Sequence, residues 1–141
     1  MTAPELVTAT IPGKPIAKGR PRLGRHGIYS PPSTHDAEER AGWLLRAACP
    51  VPLEGPLEVR VSFCFHYPRS WSKAKRDAVE DGAQPWHLGR PDLDNLLKLI
   101  LDAANRVLWR DDAQVVKIAA TKIYAAEAET IVGVYPAGGA A

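Results

Sequence analysis

The sequence has only two cysteines, Cys49 and Cys64, and they do not form a C-x-x-C pair. That excludes a cysteine zinc site and a disulfide framework, leaves at most a single bridge, and makes a reducing cytoplasm the expected compartment. No apolar run approaches the ~20 residues that span a bilayer. Met1–Glu5 lacks the charged and apolar regions of a signal peptide, so no membrane role is expected. His26, His35, His66 and His87 are scattered without metal-ligand spacing. Gly24 and Gly27 do not form a phosphate loop ahead of a helix, which removes the usual nucleotide cradle. The most informative absence is of negative charge. No carboxylate falls between Glu5 and Asp36, while Lys14, Lys18, Arg20, Arg22 and Arg25 all do.

The net charge of +2 says little, but its segregation says more. A second basic cluster is Arg69, Lys73, Lys75 and Arg76. Two patches of this kind on a chain whose acids lie elsewhere fit a polyanion partner; a solvated basic loop is the alternative. At 141 residues the chain is expected to form one domain, 1–141, with a core that needs no staples.

Leu6–Ile11 alternates and is rich in β-branched residues, which predicts a strand. Residues 12–32 are dense in Pro, Gly and cations, and a loop this long within a domain is usually functional or disordered. Ser33 or Thr34 is expected to cap a helix through Glu38 to Ala48, with its apolar face at Ala41, Leu44, Leu45 and Ala48 and Trp43 at the margin. Leu57–Phe65 alternates as a strand. Ser72 can cap a short helix through Ala78. Asp92–Asn105 is the best helix, and Val115–Tyr124 and Thr130–Tyr135 are strands; residues 136–141 are expected to fray. The order β-α-β-(α)-α-β-β predicts an α+β domain with a small mixed or antiparallel sheet and two main helices.

Carboxylates gather around the long helix. Asp92 and Asp94 would lie about 200° apart if both were fully helical. Pro91 favours extended backbone before the helix, placing Asp92 at or before the first turn and Asp94 within it, both near the positive end of the helix dipole. Leu93, Leu96, Leu97, Ile100, Leu101 and Ala104 form the expected buried face. Asp94, Lys98 and Asp102 follow at i, i+4 and i+8 on the polar side. Asp111-Asp112 stands in the turn before the next strand. Carboxylates of this kind suit a hard divalent cation, and a protonated Lys98 would act as a phosphate anchor rather than a base. Each residue also has a local explanation: Asp92 as an N-cap, Asp94–Lys98 as a surface ion pair, Asp111-Asp112 as turn residues.

The run P-D-L-D-N-L-x-K-x-x-x-D from Pro91, then W-x-D-D-A-Q-V from Trp109, then a strand lysine at Lys122, closely resembles RusA-type Holliday-junction resolvases. These are endonucleases of bacteria, prophages and phages. Lys18-Gly19-Arg20-Pro21-Arg22 and Pro68-Arg69-Ser70-Trp71-Ser72 fit as well, so the resemblance covers nearly the whole chain. It implies that Asp92, Asp94 and Asp112 bind Mg²⁺ or Mn²⁺ and that Lys98 is the catalytic lysine. Of the pair Asp111-Asp112 the resemblance assigns the metal to Asp112, and Asp102 is expected to support the site from outside the ligand set. The resemblance further implies a homodimer acting on four-way DNA junctions, with one active site per subunit. The chain departs from the family at Ala104-Asn105-Arg106, where relatives often have Leu-Asn-Gly; Asn105 is expected to take the left-handed conformation there. Lys14, Lys18, Arg20, Arg22, Arg25 and the second basic cluster would contact DNA phosphates. Trp71, between serines and cations, is the aromatic to test for base stacking. A branched-DNA-binding protein without cleavage and a small phosphohydrolase acting on nucleotides are the rival readings.

Overall fold

Strand β4, Leu57–His66, is the spine of the fold because its alternating apolar residues are buried at nearly every position. In the computed structural model, which describes residues 4–19, 22–25, 27–29 and 32–138, it lies inside a four-stranded sheet. The other strands are β1 (Val7–Pro12), β5 (Val115–Ala125) and β6 (Glu129–Pro136), in spatial order β1-β6-β4-β5. β6 pairs antiparallel with both β1 and β4, while β5 runs parallel to β4, so the sheet is mixed. A parallel neighbour needs a long crossover. Here it carries two helices, α2 (Lys73–Glu80) and α3 (Leu93–Ala104).

Helix α1, Pro32–Ala48, packs against α3 and β1. Val59, Val61 and Phe63 of β4, Val132 and Val134 of β6, Leu45 of α1 and Leu96 and Ile100 of α3 share one core. The opposite side of β4 is polar. Glu58 pairs with Arg60 (2.7 Å) and Lys117 (3.8 Å), and the Arg60 guanidinium sits 4.0 Å from the Tyr135 ring centroid. This two-sided character is what the strict alternation of β4 encodes. Cys49 and Cys64 are buried free thiols. No helix among the described residues is long and apolar enough to cross a membrane.

Several sequence expectations are corrected. Within the loop 12–32, β2 (Arg22–Gly24) and β3 (Gly27–Tyr29) pair as a short antiparallel hairpin. α1 begins at Pro32, so neither Ser33 nor Thr34 is its cap; a proline at a helix start loses no hydrogen bond. Ala48 and Trp43 are exposed, and Cys49 takes the buried place expected of Ala48. α3 buries Leu96, Leu99, Ile100, Ala103 and Ala104, which moves Leu93, Leu97 and Leu101 to the margin. Asn105 is extended (φ −60°), and Arg106 takes the left-handed turn (φ 67°). Pro136 is the last residue of β6, and of the tail expected to fray, residues 139–141 lie outside the described residues. A third helix, α2, completes the set, with Ser72 Oγ accepting from the Lys75 N–H at 3.2 Å as expected.

Candidate active site

The shift of Leu97 and Leu101 to the margin of α3 opens a cleft of about 320 Å³ between α3 and β5. Its floor is apolar, with Leu97 and Leu101 on one side and Val115 and Ile118 on the other. Its polar lining is Asp94, Lys98, Asp102 and Asp112. Asp112, in the turn before β5, shares this cleft with residues of α3 because β5 lies alongside that helix.

Asp94 sits in the first turn of α3, where Oδ1 accepts the Asn95 N–H at 2.9 Å. It forms no ion pair with Lys98 among the described residues, so the i,i+4 explanation of both residues is not realised. Asp92 holds the N-cap position with extended backbone, yet its side chain makes no capping bond. Asp92 lines a neighbouring groove with Arg90, Pro91 and Asn95 rather than the cleft of Asp94 and Asp112.

Asp111 and Asp112 have separate surroundings. Asp111 Oδ1 accepts the Ala113 N–H at 2.9 Å, and Gln114 Oε1 accepts the Asp111 N–H at 3.1 Å, so Asp111 builds the turn Asp112–Gln114. The Gln114 amide also donates to the carbonyls of Leu53 (3.0 Å) and Gly55 (3.1 Å), tying that turn to the strand-β4 entry. Asp112 Oδ1 accepts from the indole Nε1 of Trp109 at 2.7 Å, and Trp109 is fully buried. A core side chain thus aims Asp112, a role for Trp109 that its sequence position did not reveal.

Lys122 Nζ donates to the carbonyls of Gly89 (2.7 Å) and Pro91 (2.8 Å). It holds the segment that leads into Asp92, across the cis Arg90–Pro91 peptide. His87, in the same segment, stacks on Phe65 at 4.1 Å. Burial, helped by the positive charge of Lys122, pushes its pKa below the ordinary histidine value.

The expected DNA contacts fare differently. Lys14 and Arg25 are exposed. Arg20 and the side chain of Arg22 lie outside the described residues. Lys18 is not exposed: Nζ bonds Glu38 at 2.8 Å and Asp102 at 2.5 Å. Burial works against its charge, but the bonds to Asp102 and Glu38 outweigh that and hold its pKa above the ordinary lysine value. In the second cluster Arg69 is exposed, Arg76 is half-buried, and Lys73 pairs with Asp77 at 2.8 Å. Lys75 lies 3.8 Å from the Trp71 ring centroid, while Tyr124 meets that ring edge-on at 4.6 Å. Trp71 is therefore committed to neighbours, and the exposed indoles among the described residues are Trp43 and Trp86, 65% and 67% accessible.

The donor set can be tested for a metal. Among the described residues no three His, Cys, Asp or Glu side chains form a group able to hold an ion. Asp94 and Asp112 nonetheless share one cleft. Mg²⁺ is commonly held by one or two carboxylates, with water and substrate phosphate completing its shell, so this oxygen-donor pair fits it chemically.

A mixed sheet flanked by helices, with carboxylates and a lysine lining one cleft, has the chemistry of proteins that handle phosphate esters. The family model for endodeoxyribonuclease RusA matches residues 12–135, and the chain belongs to that family. Membership implies a structure-specific nuclease function. The chain is also similar to the uncharacterized protein YqaN of Bacillus subtilis (strain 168), with 29% identity over 131 residues that cover 87% of this chain and 91% of that protein.

Proposed function

We propose that this chain is a metal-dependent endodeoxyribonuclease that resolves four-way DNA junctions by paired phosphodiester hydrolysis. The observation that carries the reading is the convergence of Asp94, Asp112 and Lys98 on one cleft within a chain of the RusA family. Asp92, Asp94 and Asp112 would hold Mg²⁺ or Mn²⁺, which supplies charge neutralisation at the scissile phosphate. Lys98, exposed and free of an ion pair among the described residues, stabilises negative charge as it develops on the phosphate. Trp109 fixes the rotamer of Asp112, and Lys122 fixes the approach to Asp92. Lys14, Arg20, Arg22, Arg25 and Arg69 hold backbone phosphates, which gives position without sequence readout. Single-domain organisation and a homodimer complete the proposal, since two sites related by a twofold axis suit paired nicks in opposed strands.

A branched-DNA-binding protein without cleavage is the second reading, favoured by the lack of a three-carboxylate group among the described residues. One experiment separates them. Synthetic four-way junctions, duplex and mononucleotides are incubated with the protein, with and without Mg²⁺. Paired nicks in junctions that require the metal support the nuclease. Tight junction binding without nicking in either Mg²⁺ or Mn²⁺ would establish the second reading, and turnover of mononucleotides would overturn both.

A further inference from the structure

The cations of the basic arm do not share one role. Lys14 and Arg25 point to solvent, whereas Lys18 is drawn into the fold. Its ammonium bridges Glu38 of α1 and Asp102 of α3, and its side chain is only 21% accessible. Its backbone N–H donates to Asn95 O at 3.0 Å, in the turn of α3 that carries Asp94. The N–H of the next residue, Gly19, donates to Thr34 Oγ1 at 2.9 Å, and Thr34 is 3% accessible. Two consecutive residues thus grip both helices through side chain and backbone. Further back, Arg40 donates to Pro12 O at 2.8 Å and the Gly13 N–H to Ala128 O at 2.9 Å. The arm is tethered up to Gly19, and its remaining cations follow directly.

We propose that Lys18 is a positioning residue, a latch that fastens the root of the basic arm to α1 and α3 through Glu38 and Asp102. The latch sets where the outer cations meet DNA relative to the cleft, and it rests on the proposed function for that purpose. Lys18 then contributes little to holding phosphate, because two of its three N–H donors are already committed and its charge is offset by two carboxylates. Asp102 lines the cleft yet serves as the latch's acceptor, which gives it a task other than holding metal. Through Asp102 the arm is thus linked directly to a residue that lines the cleft.

The test compares Glu38→Gln, Lys18→Met and Lys18→Arg with the wild type. One assay follows tryptic cutting after Arg22 and Arg25 without DNA; the other follows junction binding and cleavage. Glu38→Gln lies outside the cleft and removes a negative charge, so simple attraction would tighten DNA binding. The latch requires the opposite. Arm cutting should rise and junction Kd should weaken, each by about two- to fivefold, with kcat at saturating junction unchanged. Lys18→Met should behave in the same way, and Lys18→Arg, which can still bridge two carboxylates, should restore both properties. Unchanged cutting in Glu38→Gln and Lys18→Met overturns the latch, as does tighter junction binding by Glu38→Gln. Faster cutting with unaltered junction affinity overturns the positioning role and leaves a purely structural ion group. If Lys18→Met loses its cooperative melting, Glu38→Gln decides. The tryptic assay uses no DNA, so the latch stands or falls on it even if the protein proves not to act on junctions.

Discussion

Replacing Asp94 by Asn changes one atom type in the cleft and almost nothing else. In the structure Asp94 is exposed, and among the described residues its side chain has one hydrogen bond, from the Asn95 N–H to Oδ1. An asparagine oxygen can accept that bond equally well. The stability loss is therefore confined to the lost attraction between a carboxylate and the helix N-terminus, about 0.3–1 kcal/mol. The chemistry should suffer far more. A neutral amide is a poorer Mg²⁺ ligand than a carboxylate. Loss of metal-assisted charge stabilisation on the order of 3–4 kcal/mol, at about 1.4 kcal/mol per decade, lowers cleavage by roughly 10²- to 10³-fold. Binding should move the other way. With one negative charge removed beside the phosphate, junction affinity in EDTA should hold or rise slightly. The assay measures single-turnover cleavage in Mg²⁺ and junction affinity in EDTA on the same preparation, with the melting temperature as control. Wild-type cleavage by Asp94→Asn would refute the assignment of this carboxylate to the metal. Weakened binding in EDTA would show that Asp94 acts through structure rather than chemistry.

Three further outcomes are expected. Lys122→Met frees the Gly89 and Pro91 carbonyls and should lower kcat more than it weakens junction affinity, whereas equal loss of both, or of neither, would separate Lys122 from the approach to Asp92. Arg22→Ala with Arg25→Ala should weaken junction binding and flatten the slope of log K against log salt by about one for each phosphate no longer neutralised, while an unchanged slope would remove the arm from the DNA surface. Sedimentation at micromolar concentration should give twice the 15.3 kDa of one chain, and a mass near one chain would leave paired incision without a mechanism.

How much of this was legible beforehand varies with the kind of signal. The strict alternation of Leu57, Val59, Val61 and Phe63 determined β4 by itself, because a period of two leaves one face for the core. The motif from Pro91 to Lys122 carried the family, and Pro91 placed Asp92 outside the helix and Asp94 inside it. α3 was legible as a helix but not in its rotation. Eight of its 12 residues are leucine, isoleucine or alanine, so several faces were apolar enough to bury, and only packing against α1 and the sheet chose Leu96, Leu99 and Ile100. That rotation decided that Leu97 and Leu101 would floor a cleft. Asp111 and Asp112 are adjacent and chemically alike in sequence. Tertiary structure separated them: one folds back to build its own turn, and the other is held by a buried indole and faces the cleft. Lys18 read as one more cation of a basic arm, because sequence records charge but not the partner that neutralises it. Its carboxylates stand 20 and 84 residues away, a pairing that only the packing of α1 against α3 brings about.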